Sequence, residues 1–451
     1  MLHLFDTAIG QVAPLEPRHP GQVSIYLCGP TVSGEPHVGH ARLTLTWDVL
    51  RRYLIFSGFD VTFVSNVTDI EDKIIAKAIE SGTSTDEVVA TYEPVWWQAM
   101  DQLGVKRPDL DPHATAWVPQ MIDLIAKLVA GGHAYVGGDG VYFASETVEG
   151  YGLLARQPLE SLRAGARVAV DEEAGKRSPV DFVLWKFAKP GEPSWPSPWG
   201  DGRPGWHTEC VVMSLGLLGD RFDLHGGGID LAFPHHENER AQAIASGHAF
   251  ARRWVHSGWV VDEVGEKMSK SLGNTTSLPD LLATIDPRAL RLQILQTHYR
   301  SPMVVTRATL DQATDTLRGL DAFAGRHASA RGVPVDADAV AAFKERMDDD
   351  LDTPSAVAQL FELRREANSA GPERAGTLSS TVMHLFEDAL GLSLGGAGGT
   401  AEIPPEVTAL AAERDEARSA RDWGRADAIR DELVAAGWVV EDGPEGTTLR
   451  R

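Results

Sequence analysis

The sequence predicts an α/β protein: a parallel-sheet domain split by an insertion, then helical chain, then a small C-terminal unit. Three observations carry this. Short apolar β-leaning runs alternate with helical patterns at the start of the chain. A hairpin-like and Pro/Trp-rich stretch interrupts that alternation between about 110 and 200. From about 279 onward the pattern is mainly helical. A length of 451 residues also exceeds one ordinary domain and suggests about three.

The elements follow in order. Val23 to Leu27 is a short apolar strand that runs into Cys-Gly-Pro-Thr. Pro36-His37-Val38-Gly39-His40 then opens the helical pattern LTLTWDVLRRYLIF. A second strand, VTFVSNV, ends at Thr68-Asp69, and IEDKIIAKAIESG continues as helix. In parallel α/β sheets ligands bind beyond the C-terminal strand ends. Cys28 and Thr68 both stand at such ends. GGHAYVGGDGVYF reads as a hairpin, and WKFAKPGEPSWPSPWGDGRPGW as loop-rich insertion. The α/β pattern resumes near Phe222-Asp223-Leu224-His225. Asp286 followed by Pro287 is a helix start, with an N-cap residue and proline at the first turn. LSLGGAGGTAEIPP, 392–405, reads as a linker. The expected divisions are 1–110, 111–200, 201–278, 279–394 and 400–451.

Composition sets limits. No run of about 18 apolar residues appears, so no membrane span is expected. The N-terminus MLHLFDTAIG lacks the basic-then-apolar layout of a signal peptide, and a cytoplasmic protein is expected. Sixty-four Asp and Glu against 42 Lys and Arg give a net charge of −22. Phosphate binding needs cations, so any nucleic acid must meet a local basic feature. The two cysteines, Cys28 and Cys210, are remote in sequence, and a disulfide is not expected in this compartment.

The densest chemistry lies in GWHTEC (205–210), HGGGID (225–230) and FPHHENE (233–239). His235 and Glu239, four residues apart, share one face of a helix. With Cys28 and Cys210 they offer two thiolates, an imidazole and a carboxylate. These are zinc ligand types in zinc's usual number, and thiolates disfavour magnesium or calcium. Spacing leaves His236 open beside His235. Glu237 sits two residues from His235 and points away from it on a helix.

A second constellation has two parts. His37 and His40 flank Gly39 at a helix N-terminus, where free N–H groups and positive partial charge suit phosphate. Lys267-Met268-Ser269-Lys270-Ser271 supplies cations and hydroxyls that can close over a triphosphate. The ordered pair H-x-G-H after the first strand and K-M-S-K-S after the last is a class I aminoacyl-tRNA synthetase layout.

With these motifs the chain resembles the cysteinyl-tRNA synthetase family. The stretches YLCGPTVSGEPHVGHAR, NVTDIEDKIIAKA, DFVLWKFAKPGEPSW, GWHTEC, FDLHGGGIDLAFPHHENERAQA, GEKMSKSLGN and DWGRADAIRDELVAAGWVVEDGPEGTTLRR carry the resemblance over nearly the whole chain. It implies a Rossmann-type catalytic domain split by a connective insertion, a stem-contact region with a helical bundle, and a C-terminal anticodon-binding domain. It implies one Zn2+ on Cys28, Cys210, His235 and Glu239. ATP contacts fall to His37, Gly39, His40 and Lys270. Thr31, Thr68, Trp206, Gly228 and Asp230 line the cysteinyl-adenylate pocket. Two departures stand out: HVGH replaces the commoner HIGH, and Ser33-Gly34 stands where an aromatic–acidic pair is frequent.

The implied chemistry is ATP-dependent activation of L-cysteine and transfer to the 3′ end of tRNA(Cys). Phosphoryl chemistry of this kind rests on positioning and charge stabilisation. His37, His40, Lys267 and Lys270 are assigned that work, with Mg2+ accompanying ATP, and no residue is assigned as nucleophile. Zinc would select a thiol over the hydroxyl of serine, which shape alone separates poorly. No editing domain is then required. Near the C-terminus Arg414, Arg418, Arg421 and Arg425 are spaced four, three and four, one basic stripe if helical, with Trp423 inside it. Arg421, Trp423 and Arg425 are the expected tRNA contacts, by charge and by stacking on an unpaired base. A monomer is expected. The competing reading is a cysteine ligase of the mycothiol pathway, which shares the adenylation core and lacks the tRNA-reading tail.

Overall fold

The computed structural model describes residues 1–158, 160–162, 175–266, 276–395, 405–420, 422–435, 439–443 and 446–450. Strand Gln22–Leu27 alternates Val23, Ile25 and Leu27 on one face, and Tyr26 is buried on the other. A strand buried on both faces belongs in the middle of a sheet. Helix Val38–Phe56 carries the chain over to strand Asp60–Ser65, which pairs parallel to the first from Gln22↔Asp60 to Leu27↔Ser65. On the other edge of the central strand, Leu224–Gly228 pairs parallel with Ile25 to Leu27, and Arg253–Ser257 lies outside it. The order is therefore Arg253–Ser257, Leu224–Gly228, Gln22–Leu27, Asp60–Ser65. The chain winds outward in opposite directions from the central pair. The C-terminal side of that switch point is where such sheets bind ligands.

One glycine makes this packing possible. Trp47 of helix Val38–Phe56 lies flat against strand Leu224–Gly228, and a Cβ on Gly226 would overlap its ring. Trp47 is 1% exposed, so the ring has nowhere to go. Gly226→Ala is expected to cost about 1–3 kcal/mol or more by overpacking. An unchanged thermal midpoint would show that the sheet can shift to accept a methyl group.

The insertion is an antiparallel meander of strands Ala134–Val136, Gly140–Phe143, Phe182–Phe187 and Gly202–Pro204. Its first two strands form the hairpin read from GGHAYVGGDGVYF. Helix Val118–Ala130 packs on it through Ile125 and Leu128, in one core with Val141, Phe143, Leu184 and Trp185. Hydrogen bonds and ion pairs tie it to the sheet domain, among them Lys186 with Asp72 at 2.5 Å. Tyr151 Oη donates to Asn238 at 2.6 Å, and Leu154 N–H donates to Glu237 at 2.6 Å.

After residue 279 the described chain is mainly helical, as expected from its sequence. Asp286 caps helix Pro287–Leu295 by accepting the Arg288 N–H at 2.9 Å. Helices Arg307–Arg326, Ala337–Asp348, Thr353–Ser369 and Pro372–His384 follow. Leu317, Phe343, Val382 and Phe386 share a single apolar core with Trp47, Ile25 and Val255 of the sheet domain. A buried ion pair joins the layers: Arg291 meets Asp48 at 2.7 Å and also donates to the carbonyls of Leu103, Gly104 and Leu390.

The C-terminal unit pairs helices Pro405–Ser419 and Trp423–Ala435 with a hairpin, Val439–Gly443 and Gly446–Arg450. This corrects one expectation. The arginine stripe requires one continuous helix, but the chain breaks between Ser419 and Trp423, where Asp422 accepts the Arg425 N–H at 3.1 Å. Arg414 is 4% exposed and donates to Thr447 Oγ1 at 2.6 Å. Burial of that guanidinium against the hairpin removes it from any basic surface. Most of the expected linker, 396–404, lies outside the described residues. Among the described residues no helix is long and apolar enough to cross a membrane.

Candidate active site and metal cluster

The strand ends open into a cavity of about 440 Å³. The segments after Leu27 and Ser65 run side by side along it. Thr68 N–H donates to Pro30 O at 2.9 Å, and Val32 N–H to Thr68 O at 3.3 Å. Gly29 permits this approach, because a Cβ there would overlap the Asn66 carbonyl. Cys28, Thr31, His37, Gly39, His40, Thr68, Trp206, Cys210, Gly228, Asp230 and His235 all line the cavity. Eleven residues singled out from sequence, on five chain segments, thus meet in one space.

At the inner end lies a buried cluster. Cys28 Sγ is 3.7 Å from Cys210 Sγ and 3.6 Å from Glu239 Oε1. Cys210 Sγ is 3.7 Å from His235 Nε2, which is 3.0 Å from Glu239 Oε1. Ligand atoms of Cys28, Cys210, His235 and Glu239 all lie within 4.8 Å of one another. The i, i+4 spacing of His235 and Glu239 delivers two donors to one point, as a helical face should. A second grouping, Cys28, His225, His236 and Glu239, meets the same criterion. Cys28, Cys210 and His235 border the cavity, whereas His225 and His236 do not. Glu237, the other acidic candidate, is engaged elsewhere, with Leu154 N–H and with Arg240 at 2.9 Å.

An outer layer of histidines orients this cluster. His225 Nε2 stands 2.7 Å from Glu239 Oε2, leaving Oε1 for Cys28 and His235. His207 Nδ1 stands 2.8 Å from His235 Nδ1. Burial holds His207 down to about 3, so its ring is neutral. With His235 Nε2 turned to the sulfur, its Nδ1–H donates to His207. Such bonds fix the tautomer of a metal-binding imidazole. His236 Nδ1 pairs with His256 Nε2 at 2.8 Å, and its Nε2 is 3.3 Å from Cys28 Sγ.

The charges are strongly coupled. Burial pushes the Cys28 thiol well above its ordinary value. Burial also opposes ionisation of Cys210, but hydrogen bonds from Cys28 and His235 prevail and bring it down to about 6. Glu239 resists burial through His225 and His235, which hold it well below the usual carboxylate range. Two sulfurs and a carboxylate in so small a buried volume need a cation for all three to be anionic.

At the other end of the cavity His37 caps helix Val38–Phe56. Its backbone N–H donates to His40 Nδ1 at 3.1 Å, and the two rings stack at 3.8 Å. A neutral His40 then carries its proton on Nε2 as a donor. The backbone at His37 also pairs with Ser277, and Leu278 N–H donates to Pro36 O at 2.8 Å. This seats the chain just past 267–275 beside the histidines. Lys267 and Lys270 lie outside the described residues, as does Arg421. Trp423 is 58% exposed, and Arg425 is paired with Glu413 at 2.7 Å. Neither is among the cavity residues.

Several cavity residues escaped the sequence reading. Asn66, Lys73, Trp96 and Trp259 line it. Asn66 directly follows strand Asp60–Ser65, so the strand-end rule could have found it. The supporting His207, His225 and His256 had no spacing signal.

Comparison with known proteins agrees with this geometry. Residues 14–315 match the family model for the tRNA synthetases class I (C) catalytic domain. Residues 342–394 match the DALR domain, and 400–450 the cysteinyl-tRNA ligase anticodon binding domain. The cysteine–tRNA ligases of Alkalilimnicola ehrlichii and Chromobacterium violaceum are 46% and 47% identical, each over 100% of both chains. Among solved structures, Mycobacterium tuberculosis methionyl-tRNA synthetase in complex with methionyl-adenylate has a TM-score of 0.59 at 17% identity, covering 82% of this chain and 89% of that one. The LeuRS–tRNA–LeuAMS complex of Agrobacterium radiobacter has a TM-score of 0.62 at 12% identity, covering 84% and 85%. At those identities the two structures speak for the fold alone. The full-length relatives and the catalytic match say more: the chain belongs to the cysteinyl-tRNA synthetase family, within class I of the aminoacyl-tRNA synthetases.

Proposed function

We propose that the chain activates L-cysteine with ATP and transfers it to the 3′ end of tRNA(Cys). The observation that carries this is one cavity with a thiol-rich buried cluster at its inner end and a histidine-bearing helix N-terminus at the other. Cys28, Cys210, His235 and Glu239 would hold a zinc ion. Zinc–donor bonds of about 2.0–2.3 Å in a tetrahedron set donors roughly 3.3–3.8 Å apart, and both sulfur–sulfur and sulfur–oxygen separations fall there, at 3.7 and 3.6 Å. When bound, zinc supplies a soft Lewis acid that takes a thiolate and leaves a serine hydroxyl unbound.

The chain's own groups then do the positioning. With the substrate thiol at the inner end, its carboxylate points toward His37 and His40. The carboxylate oxygen attacks the α-phosphorus of ATP and pyrophosphate leaves. The helix N-terminus and the histidine N–H groups face the phosphates. Lys267 and Lys270, with Mg2+, complete the charge stabilisation, and Lys270 and Gly39 belong to the ATP site. Thr31, Thr68, Trp206, Gly228 and Asp230 enclose the adenylate. A ribose hydroxyl of the tRNA end then attacks the mixed anhydride. The proposal is of a monomer that works in the cytoplasm, with tRNA as its macromolecular partner.

The anticodon-binding match over 400–450 favours this reading over a cysteine ligase of the mycothiol pathway. Arg421, Trp423 and Arg425 are the proposed RNA contacts. Stacking on an unpaired base is worth about 1–3 kcal/mol, so Trp423→Ala should lower kcat/KM for tRNA charging by roughly 10- to 100-fold. Cysteine-dependent ATP–pyrophosphate exchange should not change. Equal loss in both assays would refute the division between the two ends. Absence of cysteine-dependent exchange in the intact chain would refute the proposed function itself.

A further inference from the structure

Arg42 is a buried charge that the scheme above leaves unused. It sits on helix Val38–Phe56, two residues past His40, and is 2% exposed. Burial alone brings its guanidinium down to about 10, so it stays charged at neutral pH. Among the described residues its Nε and Nη1 have no hydrogen-bond partner. Its Nη2 donates to three main-chain carbonyls, those of His298 and Tyr299 at 3.2 Å each and that of Ser301. A buried charge is costly, and an apolar side chain is often the cheaper occupant of such a place. What the guanidinium secures is the position of the three carbonyls.

Those carbonyls back one wall of the cavity. Tyr299 O also accepts the Gly258 N–H at 2.8 Å, and Met303 N–H donates to Trp259 O at 2.9 Å. A Cβ on Gly258 would stand 2.6 Å from the carbonyl oxygens of Arg300 and Ser301, so wall and turn lie in direct contact. Val260 pairs with Met303 and shares an apolar cluster with Val38 and Ala41, in the first turn of the helix that His37 caps. Gly258, Trp259 and Val260 all line the cavity, and Trp259 is 42% exposed. The chain just before them is held by other means. Ser257 is in register with Gly228, and the His256 ring bonds Thr7 at 2.6 Å and His236 at 2.8 Å. The turn therefore governs the wall beside the phosphate-facing helix end, and not the thiol end. It is itself anchored from behind, since Tyr299 Oη donates to Asp350 at 2.6 Å and Arg300 meets the same carboxylate at 2.5 Å.

We infer that Arg42 is a positioning residue for ATP, acting through the 298–301 turn on the cavity wall at 258–260. The helix end faces the phosphates, which leaves the Trp259 ring and its neighbours to bound the rest of the nucleotide. Arg42 belongs to that same helix, so one side chain fixes the spacing between the two surfaces. The inference rests on the ATP site proposed above and extends it from the helix end to the wall beside it. Cysteine, at the inner end, does not depend on that spacing.

The test separates the two substrates in ATP–pyrophosphate exchange by the full chain. Arg42→Met keeps an unbranched apolar stem and removes the donors. Its KM for ATP should rise about tenfold or more, since a misplacement of about 1 Å can cost on the order of 100-fold. Its KM for cysteine should stay within about twofold of the parent. Gly258→Ala pushes the wall off the same carbonyls from the other side and should raise the ATP KM likewise. Because both act through one turn, the double variant should fall short of the product of the two single effects. Equal rises in both KM values overturn the inference, since they mark a general loosening. An unchanged ATP KM, or a double variant equal to the full product, also overturns it. Should Arg42→Met not fold, Arg42→Gln keeps one amide donor and is held to the same outcomes. Equilibrium binding of ATP alone keeps this inference apart from the functional reading. If the parent binds ATP without cysteine-dependent exchange and Arg42→Met weakens that binding about tenfold, the functional reading fails and the inference stands. A parent that binds no ATP overturns both.

Discussion

Cys210→Ala should reduce cysteine-dependent ATP–pyrophosphate exchange by about 1,000-fold or more and strip the chain of zinc. Loss of a group that merely orients a metal ligand costs about 10–100-fold, and Cys210 is itself a proposed donor. Its sulfur stands 3.7 Å from both Cys28 Sγ and His235 Nε2, so its removal opens one corner of the cluster. It is also the thiol whose neighbours favour its ionised form, at about 6. The remaining Cys28 is held protonated by burial, so it cannot take over the charge. Removing one sulfur from the interior leaves a small void, and folding should survive. The measurements are bound zinc, the exchange rate, and the thermal midpoint as a control. Full zinc content with exchange within about tenfold of the parent would sink the ligand assignment.

Asp48→Asn should cost about 3–5 kcal/mol of stability, because it strands a buried guanidinium. Asp48 is 3% and Arg291 1% exposed, and among the described residues Arg291 meets no other carboxylate. Burial alone would raise the Asp48 carboxyl, but Arg291 and Arg52 outweigh it and hold it below the usual range. The sign follows from that direction. A carboxyl whose folded value is depressed contributes stability above its unfolded value, near 3.9, and loses it as pH falls through the folded one. The parent chain and Asp48→Asn should therefore differ at neutral pH and converge on acidification. Replacing both partners, as Asp48→Leu with Arg291→Met, should recover part of the loss. Thermal or denaturant unfolding at several pH values checks both. A constant difference down to the acid range would mean that Asp48 acts by packing and not by charge.

These two residues show how differently the chain reveals itself. Cys210 stood out in sequence, as one of only two thiols beside a histidine-rich segment. Asp48 did not, because nothing near it in sequence announces a partner 243 positions away. The arginine stripe failed for a related reason. Its four, three, four spacing presumed one helix, and a single capping residue, Asp422, divides it in two.

What the sequence by itself determined is local. It set the strand–helix alternation, the helix start at Asp286, the seat of His37 and His40 at a helix N-terminus, and the shared face of His235 and Glu239. Each follows from backbone geometry that repeats within a few residues. The donor types also determined which metal the cluster would suit, since softness is a property of the atom and not of the fold. Only the tertiary structure decided that Cys28 and Cys210, 182 positions apart, come within 3.7 Å. It alone brought His207, His225 and His256 behind them, turned Glu237 away to the insertion, and placed Arg42 against the Tyr299 carbonyl. The order of four parallel strands sets which chain ends converge, and that order depends on the packing of Trp47 over Gly226 and of the helices around it, not on sequence spacing.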